Sequence, residues 1–110
     1  MTGIACIMFN SSYRLLQVSA PNILKIAAIG VTAVDTSTAV VTGGSGSYAY
    51  AWTPTGAGIN YTGTSTATLG ASKASTAAGA ADGSATLLVT DSVTGQTAST
   101  SITVHLENTA

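Results

Sequence analysis

From Ala98 to Glu107 the chain reads ASTSITVHLE, ten residues that alternate in character. Ala98, Thr100, Ile102, Val104 and Leu106 fall on one side of an extended strand. Ser99, Ser101, Thr103, His105 and Glu107 fall on the other. A period of two does not wrap onto one face of a helix, so this run predicts a β-strand with one buried side. Just upstream, SATLLVTD at 84–91 puts Ala85, Leu87 and Val89 on one face. The intervening DSVTGQ at 91–96, with Gly95 free to take a positive φ, predicts a hairpin.

Two further strands share this character. STAVVTG at 37–43 is rich in β-branched residues, and SYAYAWT at 47–53 sets Tyr48, Tyr50 and Trp52 against Ala49 and Ala51. The GGSG turn at 43–46 joins them. Upstream, YRLLQVSA and ILKIAAIGVTAV are extended segments separated by Pro21; the second has helical length, but its Ile, Val, Thr and Gly30 favour strand. Residues 55–83 form a Gly/Ala/Ser/Thr tract. Within it TATLGAS at 66–72 reads as a short strand and STAAGAADG as an exposed loop. Short strands with Gly-rich turns predict an antiparallel sandwich.

Charge narrows what such a molecule does. Only 6% of the 110 residues are charged, namely Arg14, Lys25, Lys73, Asp35, Asp82, Asp91 and Glu107, with a net charge of -1. About a quarter is usual for a soluble domain. There is no basic surface for a phosphate backbone, so nucleic acid is not an expected partner. Weak charge repulsion favours association, as in an assembly or outside a cell. ILKIAAIGVTAV is too short to span a bilayer and carries Lys25, so no membrane partner is expected. The opening residues lack the basic start and apolar run of a secretory signal, and GIAC at 3–6 lacks the same features of a lipoprotein box. A virion protein released by lysis reconciles this start with the composition; a fragment of a larger surface protein does so as well.

GGSGSYAYAWTP at 43–54, followed by ATLLVTDSVTGQTASTSITV at 85–104, resembles bacterial and phage immunoglobulin-like modules, nearest to polycystic-kidney-disease-type domains. Gly43, Gly44, Gly46, Tyr48, Tyr50, Trp52, Val89, Thr90, Asp91, Gly95, Ile102 and Val104 carry the likeness, which covers roughly residues 31–107. The resemblance implies an all-β, immunoglobulin-like antiparallel β-sandwich over residues 23–110, with Trp52 inside it. It says little of function, because such folds host many tasks. The Asp/Gly cluster usual after the Trp is replaced by TPTGAG. Residues 1–22 precede the module, either as an extended N-terminal arm that adds a strand to a neighbouring subunit or as an extra edge strand of the same domain.

Chemistry-bearing residues are few. Cys6 is alone, which excludes an internal disulfide. His105 has no second His or Cys in metal-ligand spacing, and a pairing with Asp91 lacks any nucleophile motif. GGSGS opens no helix and has no following Lys, so it is a turn and not a phosphate loop. Asp82 and Asp91 make a weak calcium pair, and Asp91 reads better as the cap of its hairpin turn. NSS at 10–12 and NYT at 60–62 match the short glycosylation triplet. Leu88 faces outward between Leu87 and Val89. No catalytic, cofactor-binding or metal residues are therefore assigned, and no cofactor is expected. The expectation is a non-enzymatic structural protein of a phage particle, a capsid decoration or other accessory component contacting capsid or tail subunits, with self-association also open. The alternative is a carbohydrate- or cell-surface-binding adhesion module on a virion or at the cell surface.

Overall fold

The computed structural model describes residues 14–110. They form nine strands: β1 (Arg14–Ser19), β2 (Ile23–Ala27), β3 (Val34–Thr38), β4 (Val40–Gly44), β5 (Tyr48–Thr55), β6 (Ile59–Thr62), β7 (Thr68–Lys73), β8 (Gly79–Asp91) and β9 (Thr97–Asn108). There is no helix among the described residues. The molecule is all-β and sandwich-like. One sheet has the order β2-β9-β8-β5, a second β3-β7-β6, and β1 pairs with β4. Because β3 and β4 are one run broken only at Ala39, the two smaller sheets share a chain segment and together face the four-stranded sheet.

The alternating runs behave as their patterns require. On β9, Ile102, Val104 and Leu106 are buried, as are Ala85, Leu87 and Val89 on β8. Leu69, Ala71, Ile59 and Leu16 meet them from the opposite layer, with Trp52 and Ile23 in the same cluster. Leu88 lies on the outer face, 45% exposed.

Three local readings change. First, the exposed loop expected near residues 75–83 is partly strand: β8 begins at Gly79 and pairs without interruption with β9, Gly79 opposite Asn108 through Thr90 opposite Thr97. Gly, Ala and Asp have poor strand preferences, and here the long partner imposes the conformation. Second, the strand expected at 37–43 divides at Ala39. β3 pairs with β7, while β4 pairs with β1. Third, β2 joins β9 in parallel. No hairpin connects these strands, so turn geometry does not fix their relative direction. Residues 20–22 carry the chain from the β4 partner to the β9 partner. Pro21, which cannot donate to a ladder, sits at that switch; its carbonyl accepts the Ser37 hydroxyl, and the Asn22 side chain accepts the Thr103 N–H at 3.0 Å.

Of the segment 1–22, residues 14–19 form β1; the remaining arm reading, together with Cys6 and NSS at 10–12, falls largely on residues 1–13, outside the described residues.

Candidate functional site

β5 aims its aromatic residues inward. Trp52 is 5% exposed, and its Nε1–H donates to the Thr66 carbonyl at 2.9 Å. Its backbone N–H donates to the Thr64 carbonyl at 2.8 Å, so the loop between β6 and β7 is tied to β5 twice. Tyr48 and Tyr50 meet edge to face, ring centroids 6.5 Å apart and planes at 78°. The Tyr48 hydroxyl donates to the Gly43 carbonyl, and Tyr61 donates to the Thr55 carbonyl at 2.7 Å. Burial pushes the Tyr61 phenol above its ordinary value. These rings are thus occupied with interior packing and backbone bonds, and none forms an open stacking platform.

Asp91 ends β8 and is fully buried. One carboxylate oxygen accepts the Ser45 N–H. The other accepts the Ser45 hydroxyl at 2.8 Å and the N–H groups of Val93 and Thr94, each at 2.9 Å. Burial alone would raise this carboxyl, but the hydrogen bonds from Ser45, Thr94 and Val93 outweigh it and hold Asp91 well below the usual carboxylate range. The capping role expected for its own hairpin turn is present. The tie to the GGSG turn, 46 residues upstream, was not visible in the sequence. Gly44 belongs to this arrangement: its φ is +63°, and a Cβ there would collide with the Asp91 carboxylate.

The other polar cluster lies at the far end of the four-stranded sheet. His105 stands opposite Asp82 in the β8–β9 register. Its Nδ1 meets Asp82, and its Nε2 meets Glu107 at 3.0 Å. Hydrogen bonds to Glu107 first and Asp82 second raise the imidazole above its ordinary value, against the opposing effect of desolvation. Both nitrogens face acceptors, so only the doubly protonated ring satisfies both. The carboxylates sit on opposite ring nitrogens and do not converge on a common point. Among the described residues no group of three His, Cys, Asp or Glu could hold a metal ion. The pair Asp82 and Asp91 is also separated: nine residues of extended strand put them roughly 30 Å apart. His105 accordingly partners Asp82, not Asp91. That pairing was readable in principle, since stepping the hairpin register back from Thr90–Thr97 leads to it.

Between these clusters the outer face of the sheet is uncharged. Its three fully exposed rows are Ala51–Leu88–Ser99, Thr53–Thr86–Ser101 and Thr55–Ser84–Thr103. All nine residues are exposed. Thr86 and Ser101 share a hydroxyl hydrogen bond at 3.2 Å, and Thr55 and Ser84 one at 3.0 Å. No family model, curated protein or solved structure matches the chain.

Proposed function

We propose that this chain is a non-enzymatic structural protein of a virion, a phage capsid decoration or similar accessory component, built on an immunoglobulin-like sandwich. The observation that carries the docking role is the three-row face of β5, β8 and β9. Burying charge against a partner costs desolvation free energy, and a Ser/Thr/Ala face avoids that cost. Its hydroxyls already bond one another in two rows, which further limits what is lost on contact. Charge on this sheet is confined to the Asp82–His105 pair, the neighbouring Glu107, Lys25 and the buried Asp91.

The strand order supports the immunoglobulin-like reading. One layer runs β1, then the β4/β3 run, then β7 and β6; the other runs β5, β8, β9 and β2. Constant-type immunoglobulin sheets have the orders ABED and CFG, with a buried Trp on strand C. With β5 as C, β8 as F and β9 as G, Trp52 occupies that place.

A carbohydrate-binding role built on ring stacking would draw on aromatic side chains in solvent, and among the described residues Tyr48 and Tyr50 are half-buried and Trp52 is buried. Gradient sedimentation of particles from the source culture tests the structural role. The chain should co-migrate with a multi-subunit particle at fixed stoichiometry, and Thr86→Lys, in the middle of the face, should release it while unfolding at nearly the same temperature. A chain recovered only as free monomer, or a Thr86→Lys variant that stays bound, would refute the proposal.

A further inference from the structure

Lys73 ends β7 on the same side as Leu69 and Ala71, and it is only 8% exposed. Its Nζ donates to the Ser75 carbonyl at 3.0 Å and the Ala77 carbonyl at 2.9 Å. An ammonium has three N–H donors, and these two carbonyls take two of them. Its charge is also unbalanced. The chain has four acidic residues, and residues 1–13 contain none of them. Asp82 and Glu107 flank His105, Asp91 accepts from Ser45, Val93 and Thr94, and Asp35 accepts the Thr36 N–H. Among the described residues no carboxylate pairs with Lys73.

A cleft opens beside this cation. It has a volume of about 390 Å³ and lies between Ala57 and Gly58 before β6 and Ala78 and Gly79 at the start of β8, with Lys73 in its wall. That volume falls within the roughly 300–1,000 Å³ of ligand clefts. The small side chains leave the space open and bring peptide backbone to its surface. A buried cation persists only where its donors and charge are compensated, and carbonyl oxygens supply just part of that compensation here.

We propose that the Lys73 cleft binds a carboxylate carried on an acidic segment of another protein chain. The ammonium is a compact point charge suited to one carboxylate oxygen. A phosphate dianion would call for further cations, and Arg14 and Lys25 are the only others in the chain. Arg14 stands opposite Gly44 at the Asp91 turns, and Lys25 stands opposite Leu106 on β2. Apart from Lys73 the cleft is lined by Ala, Gly and Ser, with no aromatic or second charged side chain to shape it for a particular small molecule, which suits an extended backbone. This site is independent of membership in a virion.

Nuclear magnetic resonance titration of the full chain with acetyl-Gly-Asp-Gly-amide tests it, alongside the Asn-containing counterpart and sodium acetate. The Asp peptide should give saturable shifts at the Gly58, Ala78 and Gly79 amides and the Lys73 side chain, weakening as salt rises. The Asn peptide should not. Acetate matching the Asp peptide at equal concentration would overturn the protein-segment assignment in favour of a free carboxylate. Identical responses to the Asp and Asn peptides, or no saturation through the millimolar range, would overturn the site itself. Lys73→Met should abolish the shifts. Because that variant removes a buried anchor of the 74–78 loop, Ala78→Glu provides a second arm that keeps Lys73 and places a resident carboxylate at the cleft. It should weaken the Asp peptide at least about tenfold while the spectrum stays dispersed, and unchanged affinity would count against the cleft.

Discussion

Replacing Trp52 with Ala removes the largest side chain of the core. The site is 5% exposed, so nearly all of the indole leaves a packed interior. Large aromatic truncations of this kind cost about 3–5 kcal/mol through lost transfer free energy and the cavity left behind. The indole N–H bond to the Thr66 carbonyl contributes about 1 kcal/mol more. A domain of this size has a total stability of about 5–15 kcal/mol, so Trp52→Ala should leave it marginal or unfolded at 25 °C. Trp52→Phe separates the two contributions: most of the packing survives, while the carbonyl of Thr66 loses its partner, for a loss of about 1–3 kcal/mol. Urea unfolding followed by far-ultraviolet circular dichroism measures both variants without relying on the fluorophore being removed. In the unmodified chain, emission of this lone Trp should be blue-shifted and resistant to iodide. If Trp52→Ala cost under about 1 kcal/mol, or iodide quenched the emission as it does free indole, the inward-facing β5 would be wrong.

Asp91→Ala should uncouple the GGSG turn from the β8–β9 turn, lower the urea midpoint at neutral pH and raise amide exchange at Ser45, Val93 and Thr94. The folded carboxyl lies below its ordinary value of 3.8. Its stabilisation is therefore present above that value and lost as pH falls towards the folded one, so Asp91→Asn should flatten the acid limb of the stability profile. His105 is raised above its ordinary 6.5. Its contribution is complete below 6.5 and lost as pH rises through the folded value, a step that a proton NMR titration should locate and that the double variant Asp82→Asn, Glu107→Gln should abolish. Gly83→Ala should destabilise the chain by about 1–3 kcal/mol, since a Cβ there collides with the Thr55 carbonyl and lies 2.6 Å from the Tyr61 hydroxyl oxygen. A neutral result in thermal unfolding would show that the Thr55 carbonyl and the Tyr61 hydroxyl do not crowd Gly83.

The strands whose side chains declare a face were legible in advance. Trp52, Leu87 and Val104 could be assigned to the interior because period-two alternation survives any choice of partner. The N-terminal part of β8 was not legible, because Gly79, Ala80, Ala81, Asp82 and Gly83 have too little side-chain bulk to signal a strand; β9 supplies the order. The break at Ala39 depends on β3 and β4 having different partners, information absent from the run itself. Asp91 revealed its local cap, since Val93 and Thr94 stand two and three residues after it, but not Ser45. Burial of Lys73 had a signal in the Leu69–Ala71–Lys73 alternation, which a strand drawn to end at residue 72 cut short.

With few charges available, most of the exposed edges are blunted by other means. On β5 the Trp52 N–H points away from β8, to Thr64. Pro54 shares that parity, so the position where the next outward donor would stand has none. Beside β1, the Gln96 side chain accepts the Leu16 N–H at 2.9 Å and donates to the Arg14 carbonyl at 3.3 Å, taking the place of a neighbouring strand. On β2 the exposed Leu24 and Ile26 flank Lys25, a charge in the middle of a five-residue edge. β6 is four residues long. These devices oppose edge-to-edge growth but leave the uncharged face of β5, β8 and β9 open. On the docking role proposed above, association would therefore be directed to a sheet face, where side-chain complementarity selects the partner, and away from edges, where any strand would serve.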